Sequence, residues 1–344
     1  GLCTSTLFYG PLSDRYGRRP VVLTGYVIFI LGCVLVTFSH TITQLLFGRV
    51  IQSIGIGAGA ALFRAIMRDV FVGNQLAKVG SYLGSIFAIV PPLAPVSGGY
   101  VQVHLGWRAN FAILLILAII STAIIAFALP ETLPPEKRQR RTLKEIITAY
   151  TELLTHRQFL GYTACSGLAY ANLIVYVTVS PFLFQHGLHF SPIQFGWLSP
   201  ITALSYMAGT ILNIRLLNFY RPQYLLRVAG IVMLIGAVLM LALGIAGFFN
   251  VWVIILPLMV ICIGNGFVFS NAFACAFEPF PLAAGVTGAL FSGLQTLTAG
   301  IASSLAALIP GHNQILLAIA LTIMCSLIVI NIRFVLRLTK STVI

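Results

Sequence analysis

An all-α integral membrane protein is the fold class this sequence predicts, and three observations predict it. Of 344 residues, 59% are hydrophobic and only 8% are charged, against about 25% charged in an ordinary soluble domain. Apolar stretches of the length that carries a helix across about 30 Å of hydrocarbon recur between short polar connectors, as at 21–39, 109–129, 228–249 and 314–332. Alternating segments of about ten residues, the mark of a membrane β-barrel, do not occur.

In chain order, the opening "GLCTSTLFY" is too short to cross a bilayer and predicts the last half of a span, over 1–10, whose beginning is missing. Full spans are expected near 20–39, 43–67, 78–103 and 109–129. A polar break at 130–157 contains the amphipathic "LKEIITAYTELL" and reads as a linker. A second set follows near 158–186, 193–217, 224–248, 251–276, 283–309 and 314–336. The expected domains are therefore an N-terminal bundle at 1–129, a linker at 130–157 and a C-terminal bundle at 158–344.

Charge orients these spans. The 20 basic residues fall on one set of connectors, Arg49 and Arg108 excepted. "SHTITQ", "QHGLHFSP", "GFFN" and "PGHNQ" on the other set carry none. The positive-inside rule places the Arg-rich connectors and the C-terminus in the cytoplasm. The net charge of +13 is thus spread over membrane edges. It does not form the single basic face that nucleic-acid binding needs. Six scattered cysteines (Cys3, Cys33, Cys165, Cys262, Cys275, Cys325) lie in or beside apolar segments and behave as small hydrophobes. Neither a disulfide framework nor a metal site is expected.

One stretch breaks the apolar pattern: "GPLSDRYGRRP", from Gly10. "DRYGRRPVVLTGYVIF" is echoed by "NFYRPQYLLRVAGIVM" in the second half, each with Arg-Pro ahead of a helix that carries a central glycine. The two copies suggest an internal repeat. The first resembles the signature loop between the second and third helices of the major facilitator superfamily, at Gly10, Leu12, Asp14, Arg15, Gly17, Arg18 and Arg19. Physically it reads as a conformational latch. Gly10 lets helix backbones approach, Asp14 faces the positive end of a helix starting near Ala284, and Arg18 pairs with Asp69.

Further words narrow the resemblance. "GRVIQSIGIGAG" is similar to a motif of the superfamily's fourth helix, matching at Arg49 and Gln52. "VPPLAPVSGG" is similar to the fifth-helix antiporter motif, with Pro91, Pro92, Pro95, Gly98 and Gly99. "GWRANF", "LPET" and "EPFPLAAGVTGALFSGLQTLTAG" resemble the Bcr/CflA drug exporters, the EmrD-like ones in particular. The resemblance implies two pseudo-symmetric bundles in a twelve-helix pattern, with helix 1 and part of helix 2 missing here. It implies drug efflux across a bacterial inner membrane in exchange for protons. Expected partners are a lipophilic small molecule, protons and membrane lipid; the chain is expected to be a monomer with no cofactor.

Arg49 lies about two turns into its helix, where a cation is costly. It either faces a cavity with Gln52 or snorkels to the outer surface. The resemblance implies a role in proton coupling. In the second half Asn172, Tyr176, Asn265, Asn271 and Gln295 stand at mid-span, as helix–helix glue or as cavity lining. The prolines and glycines at 91–99 are expected to pack against a stripe of Gly288, Ser292, Gly293, Gly300 and Ser303. No acidic residue is central to any span. No nucleophile with a base and no His-Glu-x-x-His lies in the bundle, which argues against an intramembrane enzyme. An importer of a small metabolite and a non-transporting receptor remain as alternatives.

Overall fold

The computed structural model describes residues 2–71, 73–138, 143–280, 284–308 and 313–341. Their regular secondary structure is helical, with no strand among the described residues. The helices are α1 (Leu2–Tyr16), α2 (Arg18–Thr37), α3 (Ile42–Val70), α4 (Gly73–Leu105), α5 (Trp107–Ala128), α6 (Leu143–Thr155), α7 (Arg157–Pro181), α8 (Pro192–Gly196), α9 (Leu198–Leu216), α10 (Pro222–Ile245), α11 (Val251–Phe277), α12 (Ala284–Ala306) and α13 (Ile315–Ser341). Among the described residues eight of them, α2, α3, α5, α7 and α10–α13, are long and apolar enough to cross a membrane. The chain is thus a multi-pass membrane protein. α9 falls outside that set, and its 19 residues include Ser199, Thr202, Ser205, Asn213 and Arg215.

The polar connectors are polar because they cap helices. Thr41 and Gln44 form a reciprocal capping box at the start of α3, Ser191 and Gln194 form another at α8, and Asn250 accepts from the amides of Trp252 and Val253 at α11.

The chain forms two compact units. The first comprises Gly1–Ile89, Tyr100–Thr151 and Gly285–Gly293; the second comprises Val90–Gly99, Glu152–Ala284 and Leu294–Ile344. In the first unit α3 packs on both α1 and α2, and α5 packs on α2. Glycines bring α2 and α3 into backbone contact. A Cβ on Gly32 would lie 2.5 Å from the Gln52 amide nitrogen, one on Gly48 would meet Val36 Cγ2 at 2.7 Å, and one on Gly55 would strike the Phe29 amide. Small residues provide such closeness in hydrocarbon, where water exclusion contributes nothing between helices. In the second unit α11 packs on α7, α9 and α10, while α13 packs on α7 and α10. Five cysteines, Cys33, Cys165, Cys262, Cys275 and Cys325, are buried free thiols. The side chain of Cys3 is not among those described.

Two boundaries differ from the sequence expectation. "GPLSDRYGRRP" is not a connector: α1 continues to Tyr16 and α2 begins at Arg18, leaving only Gly17 between them. Pro11 sits inside α1 and denies the Leu7 carbonyl its helical donor. Tyr150 of α6 reaches that carbonyl with a hydrogen bond of 3.5 Å, and burial pushes the Tyr150 phenol up, so it stays a donor. The second difference lies at the end of α7. It passes into one π-helical stretch, Phe182–Gly187, and the following span is divided at Trp197 into α8 and α9.

Candidate functional site

Several charged residues of the first unit, Asp14, Arg18, Asp69 and Glu131, gather around Gly17. Its φ of 103° is open to glycine and strained for other residues. That single residue turns the chain from α1 into α2 and sets Arg18 at the first position of the new helix. Arg18 is 8% exposed, yet its guanidinium is surrounded. Nη1 donates to Ser13 Oγ at 2.5 Å and to Asp14 Oδ1 at 2.6 Å, and Nε donates to Asp69 Oδ2 at 3.0 Å. Asp69 stands at the end of α3, where the helix dipole disfavours a carboxylate; the arginine offsets this. Arg19 donates through Nη2 to the Ala126 carbonyl at 2.5 Å, placing a cation on the open end of α5 where the dipole favours one.

Several expected roles change here. A Cβ on Gly10 would meet nothing within 4 Å, so Gly10 is not a close-contact glycine; its carbonyl accepts from Ser13 Oγ at 2.8 Å. The partner recorded for Asp14 is Arg18, one turn on, and residues 281–283, ahead of α12, lie outside the described residues. Arg15 is exposed, with its guanidinium 5.3 Å from the Tyr16 ring. Three partners were not foreseen: Ser13, Thr132, whose hydroxyl donates to Asp69 at 3.4 Å, and Glu131, whose Oε1 accepts from the Arg18 amide at 2.8 Å. The word "LPET" contains the last two, but nothing in its spacing points to Gly17.

A second group lies toward the start of α3. Arg49 donates through Nη1 to Gln52 Oε1 at 2.9 Å, and the amide of Gln52 donates to Cys33 Sγ at 3.1 Å. Gln52 is 2% exposed and pressed against Gly32, whereas Arg49 is exposed, its guanidinium 5.8 Å from the Phe111 ring. One turn of helix therefore carries a fixed cation whose orientation a buried amide holds. Arg108, the other outlying cation, donates to the Ser39 carbonyl at 2.9 Å and ties α5 to the end of α2.

In the second unit the expected amides separate into pairs. Asn271 on α11 donates to Asn213 on α9 at 2.7 Å, Gln295 on α12 donates to Ser166 on α7 at 2.9 Å, and Asn172 on α7 donates to Cys325 on α13 at 3.6 Å. Tyr176 is buried beside them on α7, and Asn265 is buried on α11 with Oδ1 unpartnered among the described residues. Asn213, to which no role was assigned from the sequence, is fully buried with Nδ2 unpartnered among the described residues. Asn271→Leu is expected to leave both ends of that amide unpaired and to cost about 1–3 kcal/mol. The double change Asn213→Leu with Asn271→Leu should recover most of it, because no buried polar group is then stranded. Melting of detergent-solubilised protein measures both, and a double variant less stable than the single would show a role beyond joining α9 to α11.

The segment at 91–99 makes a contact that was not expected. α4 runs through it without interruption. A Cβ on Gly99 would lie 2.6 Å from the Pro192 carbonyl oxygen, and one on Gly196 would lie 2.7 Å from the Pro95 carbonyl oxygen. The contact is thus reciprocal with α8, within the second unit. On α12, Gly293 faces Leu7 of α1, and Ser303 shares a 2.8 Å hydrogen bond with Thr178 of α7. Gly99, Gly196 and Gly293 each stand where a neighbouring backbone or side chain comes close, whereas a Cβ on Gly300 would meet nothing within 4 Å. Gly98 and Pro92 lie on the same stretch of α4, and the side chain of Pro91 is not described.

Comparison with known proteins agrees with this architecture. Multidrug resistance protein D of Escherichia coli (strain K12) is 32% identical over 331 residues, 95% of this chain and 81% of that protein. A bicyclomycin resistance protein homolog of Haemophilus influenzae is 28% identical over 310 residues, 89% of this chain and 77% of its own length. Among solved structures, the partially occluded inward-open conformation of the xylose transporter XylE from E. coli superposes with a TM-score of 0.68. It covers 98% of this chain and 85% of the other at 15% identity, a likeness of fold. The family model described as Major Facilitator Superfamily matches residues 1–307, and the chain belongs to that superfamily.

Proposed function

We propose that the protein exports lipophilic drugs across a bacterial inner membrane by alternating access, in exchange for protons, as a monomer. It is a transporter, not an enzyme. One observation carries the reading: the 32% identity, over nearly the whole chain, to a protein named for multidrug resistance. The clustering of basic residues on one set of connectors supports a cytoplasmic C-terminus.

The residues take roles on this reading. The Arg18 cluster, with Asp14, Asp69 and Gly17, joins the ends of α1, α2, α3 and α5 and acts as the latch that changes between transport states. Its hydrogen bonds are charge-assisted and within reach of water, so they can be broken at modest cost. Arg49 and Gln52 take part in proton coupling, and the contact between 91–99 and α8 seals against leak. The paired amides Asn172, Asn271 and Gln295, with Tyr176 and Asn265, lie beside the substrate path.

Cells expressing the complete protein should accumulate several-fold less of a lipophilic fluorescent drug than controls, and a protonophore should abolish the difference. Unchanged accumulation across a broad panel would remove the export reading in favour of a metabolite importer. A difference that survives the protonophore would remove the proton exchange alone.

A further inference from the structure

We infer that Glu131 is a positioning residue of the Arg18 latch: its carboxylate, carried from just beyond α5, holds the first turn of α2 and dictates glycine at position 17. The activity readout rests on the export reading above.

The geometry has three parts. Glu131 Oε1 accepts from the backbone amides of Arg18 at 2.8 Å and Leu133 at 3.0 Å. The Arg18 amide is one of the first-turn donors that a helix cannot satisfy internally, and Gly17 offers no side-chain cap. A carboxylate from another part of the chain therefore does the work of a capping side chain, with its charge at the favourable end of the dipole. The second part concerns space. A Cβ at position 17 would collide with Glu131 Oε2, and would stand 2.9 Å from its Cδ and 3.0 Å from Arg138 Nη2. The carboxylate fills the volume that any residue but glycine needs, a constraint separate from the positive φ. The third part is continuity. Thr132, next in the chain, donates to Asp69, which accepts from Arg18 Nε. The chain at 131–132 thus touches both the end of α2 and the side-chain cluster. Farther along, α2 meets α3 at Gly32, against Gln52, so the seating of α2 bears on the residue that orients Arg49.

The test is a double-variant cycle in the full-length protein, reading kcat and KM for efflux of a lipophilic fluorescent dye and the melting temperature of the solubilised protein. Gly17→Ala should lower kcat more than about tenfold in the native background, since the backbone and the carboxylate both oppose it. In a Glu131→Ala background the backbone cost and the contact with the flexible Arg138 side chain remain, and the added loss should shrink to about threefold. Glu131→Gln, which keeps the volume and an acceptor oxygen, should lower kcat about three- to tenfold with KM unchanged, because the residue acts through α2 and not on the substrate. An equal loss from Gly17→Ala in both backgrounds overturns the inference. So does a Glu131→Gln protein with native kcat, or one whose only defect is in KM. Should Glu131→Ala not accumulate in the membrane, the kcat and KM of Glu131→Gln decide alone. Should the native protein move no dye, the export reading fails instead. The melting temperatures of the same four proteins then test Glu131: a non-additive cycle supports it, and an additive one overturns it.

Discussion

Arg18→Ala should abolish drug efflux and lower the melting temperature by a few degrees. The guanidinium touches Ser13, Asp14 and Asp69 together. Its removal leaves two carboxylates near each other with no described cation between them. Stranding a charge by deleting the partner of a buried pair costs about 3–5 kcal/mol. Here the Asp14 and Asp69 side chains are 39% and 21% exposed, so water screens part of the repulsion and about 1–3 kcal/mol is the fitting figure. For a chain of 344 residues that corresponds to about 1–4 °C. Arg18→Lys keeps the charge but gives up the planar fork. One ammonium cannot bridge an Nη contact to Asp14 and an Nε contact to Asp69 in the same way, and partial recovery is the expected result. A pair of variants that both transport and melt like the native protein would show the cluster to be idle.

The same cluster shows what could be read in the sequence and what could not. Helices are legible because their apolar length is a local property; eight of the ten full spans expected lie within a few residues of described helices long and apolar enough to cross a membrane, while those near 78–103 and 193–217 are not among the eight. The meeting of Arg18 with Asp69, 51 residues apart, was legible only through a motif resemblance. The motif's own conformation was misread: four charges, two glycines and two prolines look like a connector, yet Ser13 and Asp14 stay helical while Arg18 and Arg19 already begin α2. Charged side chains at abutting helix ends satisfy each other and the exposed peptide groups, so no loop is required. Glu131 was illegible for a different reason. It acts from 113 residues away through a backbone amide, and no periodicity encodes such a pairing. The glycines around 99 and 293 announced a close approach, but the contacts of Gly99 with Pro192 and of Gly293 with Leu7 were not legible, because a missing side chain carries no complementarity.

Arg49 is where substitution should separate chemistry from packing. Its helix begins at Ile42, so it lies about 10 Å along the axis from that end. The guanidinium keeps its charge at any working pH, Gln52 fixes its direction, and Cys33 fixes Gln52. A charge-assisted hydrogen bond is worth about 1.5–3 kcal/mol, so Arg49→Ala should reduce proton-linked efflux about 10- to 100-fold while drug binding persists. Arg49→Lys retains the charge without the fork and should keep part of the activity. Gln52→Leu retains the cation but releases its direction, and should fall between the two while leaving the contact at Gly32 filled by a side chain of similar size. If the head group merely snorkels to water, all three variants should transport normally, since nothing in the mechanism would depend on where it points. A cysteine at position 49 then distinguishes the environments directly. Labelling by a bulky polar thiol reagent should change when the transported drug is added if the site borders its path, and labelling indifferent to the drug would remove Arg49 from the coupling site.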